Sequence, residues 1–262
     1  MTGAPAHGDA PGRAQPGSGP NRTRYVLITG ANRGLGRAAA ELLAEQGWVV
    51  LAGHRRAQTT DPLVATVAAR GGRAVPVPLD VTDPAGLQTA AERIADRTGG
   101  TLHALINNAG VFLPEDARLT SLTPEACRTT LLTNVCGPVL TTLAFLPLLR
   151  AAGGASIVNV SSAEARTERA NGQYTCYRAS KAALELATVN LSLALRPAHI
   201  VVNAVEPGWI PTDMGGPDAP DCLHTAARLI AWTASLAHLH QAASGEVFSV
   251  HALPPALAAQ AQ

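Results

Sequence analysis

Lysine is almost missing from this sequence. Nineteen arginines accompany a single lysine, Lys181, among 20 Lys and Arg residues. Aromatic residues fill 3% of the 262 positions, too few for the stacking platforms that hold single-stranded nucleic acid. Charge is also sparse, at 15% of residues with a formal net of +1. That leaves no basic footprint for nucleic acid or an anionic membrane surface. The four cysteines, Cys127, Cys136, Cys176 and Cys222, are widely spaced and form no C-x-x-C pair. They read as buried free thiols of a reducing compartment, and no metal is expected. No apolar run reaches bilayer-spanning length, and the start lacks the basic-then-apolar pattern of a secretory leader. The expectation is a soluble cytoplasmic protein.

What is present suits a sizeable core, with 47% of residues hydrophobic. Residues 1–22 are rich in Gly, Pro and Ala and show no apolar periodicity, which predicts a disordered tail. One domain is expected over 23–252, with 253–262 as a C-terminal tail. Apolar runs at 24–28, 49–52, 74–79, 102–106, 155–160, 199–205 and 246–250 alternate with helix-period segments. Ala38, Leu42 and Leu43 mark one such helix, and Leu184, Ala187, Leu191 and Leu195 another. This alternation predicts an α/β fold: a single doubly wound (Rossmann-type) domain with a mostly parallel seven-stranded sheet and helices on both faces. Right-handed crossovers then place functional sites at the carboxyl ends of the strands.

The first run ends in Thr29-Gly30-Ala31-Asn32-Arg33-Gly34-Leu35-Gly36-Arg37, followed by an alanine-rich helix. Gly30 permits a tight turn, Gly34 a close approach of backbone to pyrophosphate, and Gly36 close helix–strand packing. The helix N-terminus adds free N–H groups and a favourable dipole. The second run ends in His54-Arg55-Arg56, with no acid to meet a ribose 2′-hydroxyl. Arg33 with Arg55 or Arg56 could clamp a 2′-phosphate, which favours NADP(H) over NAD(H). The competing reading is solvated surface charge, with a neutral His54 covering the adenine.

Lys181 follows Tyr177 at i, i+4 within a predicted helix, so both share one face. A nearby ammonium lowers the pKa of a phenol, which an acid–base tyrosine beside a carbonyl needs. Upstream, Ile157-Val158-Asn159-Val160 ends in Ser161 and Ser162, where a hydroxyl can hold a substrate oxygen or simply serve a turn.

At this point the sequence resembles the short-chain dehydrogenase/reductase family, in its T-G-x-x-x-G-x-G subgroup and closest in pattern to carbonyl-reductase-like members. The glycine loop carries the resemblance, together with Asp80-Val81, Asn107-Asn108-Ala109-Gly110, Asn134, Ser162, Tyr177, Lys181 and Pro207-Gly208 with Thr212, all in the family's order. The resemblance implies catalysis by Ser162, Tyr177, Lys181 and Asn134. It implies a dinucleotide held by Gly30, Asn32, Arg33, Gly34, Leu35 and Gly36, by His54 and Arg55, and by Asp80 and Val81. Asn108, Ala109, Gly110, Tyr177, Lys181, Pro207, Gly208, Ile210 and Thr212 complete that set. Ser162, Tyr177, Glu164 and Trp209 are the expected substrate contacts. The implied activity is reduction of a ketone or aldehyde by NADPH in a small-molecule substrate. The alternatives are an NAD-dependent alcohol dehydrogenase, a catalytically idle nucleotide-binding regulator, and an epimerase or dehydratase with a tightly held cofactor. Family habit implies a homodimer or homotetramer through 123–150 and 176–196.

Two departures stand out. Ala165 replaces a frequent glycine, within a charged run of Glu164, Arg166, Glu168 and Arg169, and the serine-to-tyrosine gap is long. The run reads as a solvated loop face, or else one of its charges meets a charged substrate. Residues 211–225, with Gly215, Gly216, Pro217 and Pro220, are expected to form a mobile lid. His238 and His240 read as surface or interface residues, and Glu206 as salt-bridged.

Overall fold

The computed structural model describes residues 23–55, 61–239 and 243–258. Seven strands run β1 (Arg24–Ile28), β2 (Trp48–His54), β3 (Arg73–Pro78), β4 (Ala104–Asn107), β5 (Ala155–Val160), β6 (Ile200–Glu206) and β7 (Val247–Ser249). All pair in parallel in the order β3-β2-β1-β4-β5-β6-β7. Parallel pairing demands crossovers, and helices supply them: α1 (Gly34–Glu45), α2 (Asp61–Ala69), α3 (Pro84–Thr98), α4 (Pro124–Leu131), α5 (Gly137–Ala151), α6 (Thr175–Leu195) and α7 (Leu223–Ala234).

The central strands are apolar throughout because both faces are covered. Their side chains alternate: Val26 and Ile28 of β1 face a core under α1 and α7, while Leu27 faces a core under α3, α5 and α6. Val26 lies in register with Val50 on one side and Ala104 on the other. Strand order reverses at β1, so a crevice opens between the carboxyl ends of β1 and β4.

The expected C-terminal tail carries a short helix, α8 (Pro255–Ala258), which buries Leu257 in the core under α7. His238 is half-buried, its ring 5.4 Å from Trp48 and 5.7 Å from His103 at the amino-terminal end of the sheet. His240 and Arg56 fall outside the described residues. Of the four thiols only Cys176 is buried, Cys127 is half-buried, and Cys136 and Cys222 are exposed.

The helical run Pro124–Ala151 is, contrary to the sequence expectation, long and apolar enough to cross a membrane. Its inner side, with Thr130, Thr141, Phe145 and Leu149, is buried in the domain. Leu105 sits at the centre of the sheet with no exposed surface. Leu105→Ala is expected to cost about 2–5 kcal/mol, read as a lowered urea midpoint at unchanged m-value.

Candidate active site

The carboxyl ends of the strands enclose a cleft of about 1080 Å³. That exceeds the roughly 300–1,000 Å³ of a site for one drug-sized ligand and leaves room for a dinucleotide with a second molecule. Every residue expected at the cofactor or substrate lines it, from Gly30 through Gly36, His54, Arg55, Asp80 and Val81 to Trp209, Ile210 and Thr212. Asn134 alone among the expected site residues does not.

At one end the glycine loop is tied to the residues that follow β4. Asn108 Nδ2 donates to the carbonyls of Thr29 and Gly30 at 2.8 and 3.1 Å. Thr29 Oγ1 in turn accepts the N–H groups of Asn108 and Ala109 at 3.0 and 2.9 Å. A Cβ at Gly36 would fall on the Asn108 amide and within 2.6 Å of the Gly30 carbonyl, so this loop closes only around glycine. Arg33 stands at the N-cap of α1 without a side-chain cap, leaving the first N–H groups of the helix available to phosphate oxygens.

The adenine end departs from expectation. Arg33 reaches across the cleft to Asp213 at 2.5 Å instead of turning toward Arg55. The two-guanidinium clamp is therefore not assembled. His54 is buried, with Nδ1 lacking a hydrogen-bond partner. Asp80 accepts from the backbone and hydroxyl of Thr82 at 2.9 and 2.7 Å, which fixes the turn presenting Val81.

At the other end, Tyr177 and Lys181 share the buried face of α6, and the Lys181 ammonium lies 5.7 Å from the centre of the Tyr177 ring. Lys181 Nζ donates to the Val160 carbonyl at 2.8 Å. The Ser162 hydroxyl is close enough to the Tyr177 phenol to favour the phenolate by hydrogen bonding. Burial pushes the phenol above its ordinary pKa; the Ser162 bond pulls it back, and the Glu164 charge adds to the rise. This direction is opposite to the sequence expectation, because desolvation of a phenol only 8% exposed outweighs any pull from the ammonium. Burial also pushes Lys181 down to about 8, with Glu185 opposing.

Asn134 lies in a π-helical turn, Leu132–Cys136, between α4 and α5, and is 1% exposed. Its amide brackets Val111, accepting from the backbone N–H at 2.8 Å and donating to the carbonyl at 2.9 Å. It also donates to Ser180 Oγ at 3.1 Å. Asn134 thus shapes the backbone behind Gly110 rather than facing the cleft.

These features have counterparts in known proteins. A family model for short chain dehydrogenases matches residues 24–222. The chain belongs to the short-chain dehydrogenase/reductase family. The uncharacterized oxidoreductase YgfF of Escherichia coli is 34% identical over 193 residues, covering 72% of this chain and 77% of its own. An NADPH-bound carbonyl reductase from chicken fatty liver superimposes with a TM-score of 0.77 at 30% identity, covering 89% of this chain and 98% of the other. A Burkholderia cenocepacia short chain dehydrogenase in complex with NADP gives 0.78 at 30% identity, with 87% and 97% covered. This protein is accordingly an NAD(P)-dependent short-chain oxidoreductase, and the glycine loop, uncapped helix and cleft volume fit a nicotinamide dinucleotide.

Three features of this dehydrogenase/reductase were not readable in advance. Asp116, 2% exposed, caps the catalytic-face helix from the β4–α4 connection: its carboxylate accepts the N–H groups of Cys176 at 3.0 Å and Tyr177 at 2.7 Å. Tyr174, at positive φ, supplies no cap of its own. The charged run is solvated only in part, with Arg166, Glu168 and Arg169 exposed and Glu164 half-buried. Arg166 pairs with buried Glu206, and Glu164 with Arg178 of α6. Finally, residues 209–221 are tied by their own bonds rather than loose, with Trp209 Nε1 donating to Gly215 at 2.7 Å and the Trp209 N–H to Asp221 at 2.6 Å. Asp116→Ala strands two N–H groups beneath Tyr177. It is expected to cost about 1–3 kcal/mol in chemical unfolding, with Asp116→Asn losing less.

Proposed function

We propose that this enzyme reduces a ketone or aldehyde of a small organic molecule with NADPH, Tyr177 giving the proton. The observation that carries this reading is the convergence of Ser162, Tyr177 and Lys181 on one cleft, with the Lys181 ammonium 5.7 Å from the Tyr177 ring centre. A raised pKa keeps Tyr177 protonated at neutral pH, as a proton donor to a carbonyl oxygen requires. Ser162, which lines the cleft beside the phenol, is placed to hold the same oxygen. Lys181 would bind the nicotinamide ribose with the ammonium protons that Val160 leaves free. Bound NADPH supplies the hydride. Asn134 contributes by holding Val111 and Ser180 in place.

NADPH is favoured because no acid follows β2 and Arg55 lines the adenine end. The NADP- and NADPH-bound neighbours support it. A second reading, NADH, draws on the Arg33–Asp213 pair, which leaves Arg55 as the unpaired guanidinium at that end among the described residues. Exposed Leu131, Leu132, Val139 and Leu143 on α4–α5, with Leu186, Val189 and Leu193 on α6, form the face for a second copy, in a homodimer or homotetramer.

A carbonyl panel followed by NADPH and NADH absorbance tests the assignment. Turnover is expected with NADPH at higher kcat/KM than with NADH, and Tyr177→Phe should lose about 100-fold or more in kcat while still binding NADPH. Retained turnover in Tyr177→Phe refutes the proton donor. The pH dependence supplies a further check. Lys181 is cationic below about pH 8 and neutral above it, so kcat/KM for reduction should fall as pH rises through that value. Glu185 opposes this loss of charge, so Glu185→Gln should move the alkaline limb to lower pH.

A further inference from the structure

The substrate half of the cleft has an uneven charge distribution. Three charged side chains line it on the side formed by residues 163–178: Glu164, Arg169 and Arg178. Glu164 and Arg178 neutralise one another. Arg178 is further held by the Gln173 carbonyl at 3.0 Å and Asn171 Oδ1 at 3.2 Å, yet its buried Nη1 has no acceptor. Arg169, on the exposed loop between Ser162 and α6, also lines the cleft, with neither an ion pair nor a side-chain hydrogen bond. On the opposite side Asp213 is engaged by Arg33, and Asp221 by the Trp209 N–H and by His251 at 3.5 Å. Among the described residues lining that side, Asp221 is thus held by its neighbours and Asp213 is answered by Arg33. Trp209, 57% exposed, and Met214 add apolar surface there, and Tyr174 and Phe112 add more at ring centroids 4.7 Å apart.

An unpaired cationic donor beside apolar surface recognises a molecule with an apolar body and an anionic end. A guanidinium presents a planar fork that matches a carboxylate in two hydrogen bonds. We propose that the carbonyl substrate of this enzyme carries a carboxylate held by Arg169, so that Arg169 is a specificity-determining residue. The inference rests on the carbonyl-reductase reading for what reacts, but not for what binds.

The test therefore separates binding from turnover. Butanoate, hexanoate and octanoate, and the matching neutral amides, are titrated into NADPH-saturated protein, with tryptophan emission and the thermal midpoint as readouts. At least one carboxylate is expected to bind about tenfold or more tightly than its amide. The preference should narrow with added salt, as expected for a partly exposed ion pair. Arg169→Gln should remove the preference, and Arg169→Lys retain part of it. Neither should change NADPH affinity or the unfolding midpoint, since Arg169 supports no other group. Equal affinity for acid and amide, no measurable carboxylate binding, or an undiminished preference in Arg169→Gln overturns the proposal. In a parallel arm, oxo-carboxylates and their methyl esters are offered with NADPH. Carboxylate binding without turnover of any of them would leave the Arg169 site standing and count against the carbonyl-reductase reading instead.

Discussion

The hydrogen bond from Lys181 Nζ to the Val160 carbonyl joins the end of β5 to the buried face of α6. A burial that lowers the Lys181 pKa is tolerated only because this acceptor, and the charge of Glu185 one turn on, stand close to the ammonium. Ser161 Oγ donates to Glu185 at 2.7 Å, so the strand end grips the helix at a second point. With α6 fixed in this way, Tyr177 is presented beside Ser162. The geometry at the mouth of the cleft follows from an ionic requirement beneath its floor.

Long-range polar contacts complete the site at its edges. Asp116 arrives from the β4–α4 connection to finish the start of α6, whose own N-cap residue has the wrong conformation to do so. Glu206, 1% exposed at the end of β6, holds Arg166 and with it the loop that follows Ser162. Breaking such a buried pair by removing one partner is costlier than its net contribution suggests, because a charge is left unsolvated. By contrast, Arg33 and Asp213 are both largely exposed, so their bridge contributes about 0–1 kcal/mol and opens readily for an incoming ligand.

Much of this was visible in the sequence. The strands appear there within one or two residues because a parallel sheet buried on both faces needs continuous apolar runs bounded by turns. The glycine loop and the Tyr177–Lys181 pair were legible because their spacing is local and fixed by strand-turn-helix geometry. What escaped was non-local. Asp116 lies 60 residues from Cys176, and Glu206 lies 40 from Arg166, so no periodicity links them. The direction of the Tyr177 shift was misjudged for a related reason: composition names the neighbouring charge but not the depth of burial. Arg33 went astray because a solvated guanidinium has several acids within reach, and the sequence gives no ranking among them.

The scarcity of lysine has a practical side. Within these 262 residues one ε-amino group exists, and it is 6% exposed at the base of the cleft. Its ammonium gives up a proton near pH 8, more than two units earlier than an ordinary lysine. An acylating reagent therefore meets almost no competing side-chain amine on the outer surface, and reaction beyond the chain's own α-amino group reports entry into the cleft. The arginine-rich composition has in effect given the enzyme a single-site chemical footprint.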